Sequence, residues 1–271
     1  MGEPRNDDER YVLNREMHAY QLLKQVEHSG LVKYHQGFMY GKYFVIVQDL
    51  AEKTVEDIVR DHNARFGRPL PPKEICGYLT PVAATLDFLN ERRHRINGQL
   101  VSIMHCDAKP DNMLVFTNGD VRLGDFGLSV PLSFMSKNAD RGGTPNYAAP
   151  EVFNGQISSR IDQFSLAVSY YLLRTGKLPF QSVDDFPLTP DQRRHLAARG
   201  GLAEYERLNG PQRQVDRNHP DLSAVSPAEQ EILRKGLYPI FVNRWPSCGE
   251  MISKLSEATR SSSTVRFSAG S

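Results

Sequence analysis

His105-Cys106-Asp107-Ala108-Lys109-Pro110-Asp111-Asn112 places a carboxylate, an ammonium and an amide on one short stretch. The carboxylate of Asp107 can orient and deprotonate a hydroxyl. Lys109 can neutralise phosphate charge, and Asn112 can hold a metal ion. Downstream, Asp125-Phe126-Gly127 offers a second metal-binding carboxylate on a turn that glycine permits. Phosphoryl transfer asks a protein for little covalent chemistry, but it does ask for positioning and charge compensation by such groups.

Working outward, Met113-Leu114-Val115-Phe116 and Val121-Arg122-Leu123 flank Thr117-Asn118-Gly119-Asp120, which predicts a tight hairpin. Its two ends carry Asn112 and Asp125, so both metal candidates sit on one small rigid unit. Upstream, Ile75, Leu79, Val82, Leu86 and Leu89 recur at helical spacing and predict a buried helix, with Pro81 inside it predicting a kink or a break. Between that helix and the loop, Asn97-Gly98 in the segment Arg92 to Ile103 predicts an inserted β-hairpin-like loop.

Three pieces in this order resemble the catalytic core of a serine/threonine protein kinase: the 105–112 loop, Asp125-Phe126-Gly127, and Gly143-Thr144-Pro145-Asn146-Tyr147-Ala148-Ala149-Pro150-Glu151. The resemblance implies an α+β, two-lobe fold with a small amino-terminal lobe and a mainly helical carboxy-terminal lobe. It implies ATP and Mg²⁺ as cofactors and a protein Ser/Thr as substrate. Asp107 would accept the substrate proton, Lys109 would stabilise the transferring phosphoryl group, and Asn112 and Asp125 would bind Mg²⁺. Thr144 would hydrogen-bond Asp107 and Lys109. Gln48 would be the gatekeeper and Asp49-Leu50-Ala51 the hinge, and Gln48, Asp49, Ala51 and Leu114 are assigned to the nucleotide. Asp162 would anchor the loop backbone, Glu151 would pair with Arg244, and His105, Phe126, Tyr20 and Tyr34 would stack between the lobes.

The resemblance covers about residues 11–260. Residues 1–10 read as a disordered polar leader. Residues 11–50 read as a partial amino-terminal lobe, residues 51–260 as the carboxy-terminal lobe, and 261–271 as a disordered Ser-rich tail. Leu13, Met17, Tyr20, Leu23 and Val26 predict a helix over about residues 11–27, with Glu16 as the carboxylate that would meet a phosphate-positioning lysine. Leu31-Val32-Lys33-Tyr34 and Tyr43-Phe44-Val45-Ile46-Val47 predict strands around a turn at Tyr40-Gly41-Lys42. A further helix is expected near 190–208. Thr54-Val55-Glu56-Asp57, Ser226-Pro227-Ala228-Glu229 and Ser247-Cys248-Gly249-Glu250 carry helix-start signals.

Two departures from the family pattern stand out. Cys106 occupies the place of an arginine that would bind an activation-segment phosphate, so Ser133 or Ser136 phosphorylation would not act by that route. The sequence also has no Gly-x-Gly-x-x-Gly loop and no Val-Ala-Ile-Lys-like strand, the parts that cover ATP. Three readings stay open: a kinase whose first strands are missing, a pseudokinase that binds partners, and a small-molecule phosphotransferase. The wording of the loop and of Asp162-Gln163-Phe164-Ser165-Leu166-Ala167 resembles the bacterial, planctomycete-like branch.

Composition narrows the rest. A chain of 271 residues with 39% hydrophobic residues fits one large domain or one of two lobes. A net charge of +1 gives no electrostatic case for nucleic acid or a membrane surface. No stretch is apolar for long enough to span a bilayer, and the N-terminus lacks a signal-peptide core. Cys76, Cys106 and Cys248 form no Cys-x-x-Cys pair, which fits a reducing, cytoplasmic setting. The sequence leaves the oligomeric state open.

Overall fold

The computed structural model of the chain describes residues 7–41, 43–132, 144–153, 156–180 and 217–264. The helix expected near 190–208, Ser133 and Ser136 lie outside the described residues. The architecture is α+β, with a small amino-terminal part of one helix and a hairpin and a larger, mainly helical remainder.

The amino-terminal part holds α1 (Asp7–Leu23) and the antiparallel strands β1 (Tyr34–Tyr40) and β2 (Tyr43–Gln48). Helix α1 starts inside the stretch read as a disordered leader. The sequence places Asp7, Asp8 and Glu9 at its N-terminal end, where negative charge favours helix. It also stops earlier than expected, because the Gln25 and Val26 amides turn back to Leu22 and Leu23 in a tighter turn. Strand β1 begins at Tyr34 and not at Leu31. The backbone of 30–32 is committed elsewhere: Val32 N–H donates to Leu123 O at 3.0 Å, and Leu123 N–H to Gly30 O at 2.8 Å. The Tyr20 ring stacks on Tyr34 and meets Phe44 edge-on, at centroid separations of 6.2 and 5.5 Å. Gly37 admits that ring, since a Cβ there would stand 2.7 Å from Tyr20 Cζ.

Beyond β2 come β3 (Lys53–Thr54), α2 (Val55–Phe66), α3 (Pro72–Asn90), β4 (His94–Ile96) and β5 (Gln99–Val101). The chain continues through β6 (Ile103–Met104), β7 (Met113–Val115), β8 (Val121–Leu123), β9 (Val130–Pro131) and α4 (Pro150–Phe153). Helices α5 (Ile161–Thr175), α6 (Pro227–Gly236) and α7 (Cys248–Thr264) complete it. Strands β3, β7 and β8 form one sheet, β4 pairs with β5, and β6 with β9. The β4–β5 hairpin is the inserted loop the sequence predicts. Asn97 at φ 50° and Gly98 at φ 79° make its two-residue turn, where positive φ matches the twist of the strands.

Helix α3 runs unbroken through Pro81, contrary to the expected kink or break as far as helix continuity goes. Ile75, Leu79, Val82, Leu86 and Leu89 are all fully buried, and α3 packs on α5 and α7. Five such side chains at about 1.5–3 kcal/mol each outweigh the roughly 3 kcal/mol cost of an interior proline. Helices α2 and α6 each start with a reciprocal capping box, Thr54 with Asp57 and Ser226 with Glu229. At the start of α7, Ser247 Oγ accepts from Glu250 N–H at 3.0 Å. Asp87 of α3 accepts from Cys248 and Gly249 N–H at 2.7 and 2.8 Å. Helix α7 reaches Thr264, four residues into the stretch read as a disordered tail, because a capped, packed helix propagates cheaply once nucleated. Among the described residues, no helix is long and apolar enough to cross a membrane.

Candidate active site

Asp107 follows β6 on a loop that turns at Cys106, a non-glycine residue at φ 67°. That conformation is costly and needs external hold. Asp162 at the start of α5 supplies it: its buried carboxylate accepts from His105 N–H at 2.9 Å and from Cys106 N–H at 2.8 Å. Burial raises the Asp162 pKa in spite of those donors and the nearby His105 ring. His105 Nε2 lies 3.0 Å from Gly124 O, and a carbonyl only accepts, so Nε2 bears the proton. Nδ1 is thereby left to accept from Asp107 N–H at 3.3 Å. The His105 ring also meets Phe126 edge-on at 4.6 Å, so the stacking set divides into two pairs, this one and Tyr20–Tyr34.

Around Asp107 the structure brings three expected residues together. Thr144 N–H donates to Oδ1 at 3.0 Å. Asn112 Nδ2 donates to Oδ2 at 3.0 Å, and Lys109 Nζ stands 3.1 Å from the same oxygen. Lys109 Nζ also donates to Thr144 Oγ1 at 2.7 Å, closing a ring of contacts. Burial alone would push the Asp107 pKa up, but the Lys109 charge and the Thr144 hydrogen bonds prevail and hold it below the usual carboxylate range. Asp107 is therefore an ionised acceptor at neutral pH.

Asn112 and Asp125 stand at the two ends of the β7–β8 hairpin, whose register pairs Met113 with Leu123. Gly124 N–H donates to Asn112 O at 2.9 Å, which locks the ends together. The Asn112 amide nitrogen is spent on Asp107, which leaves its carbonyl oxygen as the group that could hold a metal. Asp125 is exposed at φ 54°, with Oδ1 3.3 Å from Gly127 N. An amide oxygen and a carboxylate are hard donors that fit Mg²⁺. Glu16 reaches this turn from α1: a Cβ on Gly127 would lie 2.6 Å from Glu16 Oε1, so a side chain there would displace the Glu16 carboxylate.

The residues assigned to the nucleotide lie nearby but differ in availability. Gln48 ends β2 opposite Tyr34 and is exposed. The Asp49 carboxylate is engaged by His35 and Arg122, each at 2.8 Å, and its N–H by Lys33 O at 3.0 Å. Its side chain thus bridges β1 to β8, and a hinge role for Asp49 would fall to its backbone. Ala51 is half-buried between β2 and β3, and Leu114 packs over Gly124.

Glu151 of α4 and Arg244 meet as a buried bidentate pair at 2.8 and 2.7 Å, with Ser158 Oγ donating to Glu151 Oε1 at 2.7 Å. Arg217 escaped the sequence reading. Its buried guanidinium lies 4.8 Å from the Phe180 ring centroid and donates to Pro145 O at 2.6 Å, beside Thr144. An isolated arginine in a polar run carries no local signal of such a partner 72 residues away.

Comparison with known proteins shows the family. The family model for the protein kinase domain matches residues 3–248. A probable cell cycle serine/threonine-protein kinase CDC5 homolog from Encephalitozoon cuniculi is 29% identical over 160 residues, 58% of this chain and 31% of that protein. Serine/threonine-protein kinase dkf-2 from Caenorhabditis briggsae is 31% identical over 61% of this chain and 13% of that protein. CBL-interacting protein kinase 8 from rice, Oryza sativa subsp. japonica, is 30% identical over 60% and 34%. The matched region thus spans about a third or less of each relative's length. This chain belongs to the protein kinase domain family.

Proposed function

We propose that the chain carries ATP-dependent serine/threonine protein kinase chemistry. The observation that carries this reading is the buried, ionised Asp107 held by Lys109, Thr144 and Asn112. A substrate hydroxyl would lie against Asp107 and give up its proton to that carboxylate. Its oxygen would bond to the γ-phosphorus of ATP as the bond to the β-phosphate oxygen breaks, leaving ADP. Lys109 would offset charge on the moving phosphoryl group, and Asn112 and Asp125 would hold Mg²⁺, which neutralises phosphate charge when bound. Lysine two residues after the acceptor aspartate, together with the serine/threonine kinases among the relatives, supports a Ser/Thr hydroxyl in protein. The three cysteines, none of them in a disulfide, fit a cytoplasmic setting, and the loop wording fits a bacterial, planctomycete-like lineage.

One observation favours a second reading. The 271 residues contain no glycine-rich loop and no strand lysine of the family type, so transfer by this chain alone is expected to be weak, and a pseudokinase scaffold is the alternative. The test is phosphate transfer from Mg-ATP to a basic protein, compared with Asp107→Asn. Weak transfer that Asp107→Asn abolishes supports the kinase reading. Robust Asp107-dependent transfer overturns the stated need for the covering strands. No transfer, with no thermal shift on adding Mg-ATP, supports the scaffold.

A further inference from the structure

We propose that Ser169 of α5 is a positioning residue for the Asp107–Lys109 pair, acting through the carbonyl of Ala108. The proposal rests on the phosphotransfer reading of that pair. Three carbonyls separate the Asp107 side chain from the end of the loop's catalytic segment. Asp107 O accepts from Lys109 N–H and from Asn112 Nδ2, both at 2.9 Å. Lys109 O accepts from Asn112 N–H at 3.0 Å. Both partners come from the loop itself. Ala108 O is served from elsewhere, by Ser169 Oγ at 2.9 Å across 61 residues of sequence.

Ala108 and Ser169 are both fully buried, so water has no access to replace that donor. A buried carbonyl without a partner costs enough to turn its peptide. The Ala108 peptide lies between the carboxylate and the ammonium, so its rotation would disturb their 3.1 Å separation.

The placement on α5 is systematic. Asp162, Ser165 and Ser169 lie three and four residues apart, on one face of the helix. Asp162 takes the amides before Asp107, Ser169 the carbonyl after it, and Ser165 Oγ donates to Tyr147 O at 2.9 Å in the turn that carries Thr144. One helix face thereby holds the two segments that meet at Asp107. Asp162 fixes the entry to the strained Cys106 turn, and Ser169 fixes its exit.

The experiment compares Ser169→Ala, Ser169→Thr and Ser169→Cys with the natural chain. Amide hydrogen exchange is read at Lys109 and Asn112, with α7 amides as the internal reference. Ser169→Ala should speed exchange at the loop by roughly tenfold and leave α7 unchanged, and Ser169→Thr should restore protection. Ser169→Cys, a weaker donor of similar shape, should fall between. In the transfer assay Ser169→Ala should lower kcat about tenfold with KM for Mg-ATP unchanged. Loop exchange unchanged in Ser169→Ala, or exchange raised equally in α7, would overturn the proposal. If the natural chain shows no Asp107-dependent transfer, the phosphotransfer reading fails, while the exchange data still decide whether Ser169 holds the loop.

Discussion

Glu151 and Arg244, 93 residues apart in sequence, form a bidentate ion pair with both side chains buried. Breaking one half strands a charge in the interior, which costs more than the intact pair contributes. Arg244→Met should therefore lower unfolding free energy by roughly 3–5 kcal/mol. The double variant Glu151→Met/Arg244→Met should be less destabilised than the two single losses added. Urea denaturation measures both, and a single-variant loss below about 1 kcal/mol would contradict the buried-charge argument.

Thr144 contributes two separable groups: its N–H binds Asp107 and its hydroxyl accepts from Lys109. Thr144→Val keeps the first and loses the second. Phosphate transfer should drop about tenfold in Thr144→Val and stay near the natural level in Thr144→Ser. Initial rates with Asp107→Asn as the floor decide it. Equal rates in Val and Ser variants would remove the hydroxyl from the account.

Glu229 gives stability a pH dependence. Burial pulls its pKa up, but Tyr170 OH, the Ser226 hydroxyl and amide, and Arg174 pull harder, and the net direction is down. A carboxylate depressed by folding stabilises above its unfolded pKa, and that contribution is lost as pH falls through the lower folded value. Glu229→Gln should lower Tm near pH 7, and the gap to the natural chain should close in acid. Ser226→Ala, which removes one cap, should cost about 1 kcal/mol. Tm followed from neutral to acid pH tests both, and a pH-independent gap would exclude the linkage.

Arg217 pins Pro145 O from a buried site over Phe180. Arg217→Met should cost about 1–3 kcal/mol of stability and speed hydrogen exchange at the Tyr147 amide, which donates to Thr144 O at 2.9 Å. Slower or unchanged exchange at Tyr147 would show that the turn holds itself.

Asp125→Asn should abolish the thermal shift that Mg-ATP gives the natural chain. A ligand at about a hundred times its Kd adds about 2.7 kcal/mol. An undiminished shift in the variant would place the metal elsewhere.

Local signals made much of this architecture legible. The Asn97-Gly98 turn, the capping boxes at Thr54 and Ser226, and the hairpin around Gly119 depend on neighbouring residues, so the sequence states them directly. Within the site, Asp107, Lys109 and Asn112 share one loop, and their mutual contacts follow from it. What the sequence hid is long-range. The start of β1 is decided by Leu123, which draws the 30–32 backbone away, and α3 survives Pro81 because of α5 and α7. Asp49 follows β2 directly, but the partners of its side chain, His35 and Arg122, come from two other strands and carry no local signal. Arg217 and Ser169 act on backbone carbonyls, and a carbonyl has no letter in the sequence.

The β7–β8 hairpin has a consequence for dissecting the protein. Asn112 and Asp125 are tied at the hairpin's base by the Gly124 to Asn112 hydrogen bond and the Met113–Leu123 pair, while Thr117 to Asp120 only close the far tip. The tip is thus a hinge-free place to open the chain. Cutting between Asn118 and Gly119, with new termini made there, should leave the metal candidates where they are. Shifting the register by one residue should separate them. A tip insertion of several glycines that retains the Mg-ATP thermal shift, beside a single deletion in β8 that loses it, would show that the base of the hairpin alone sets the spacing.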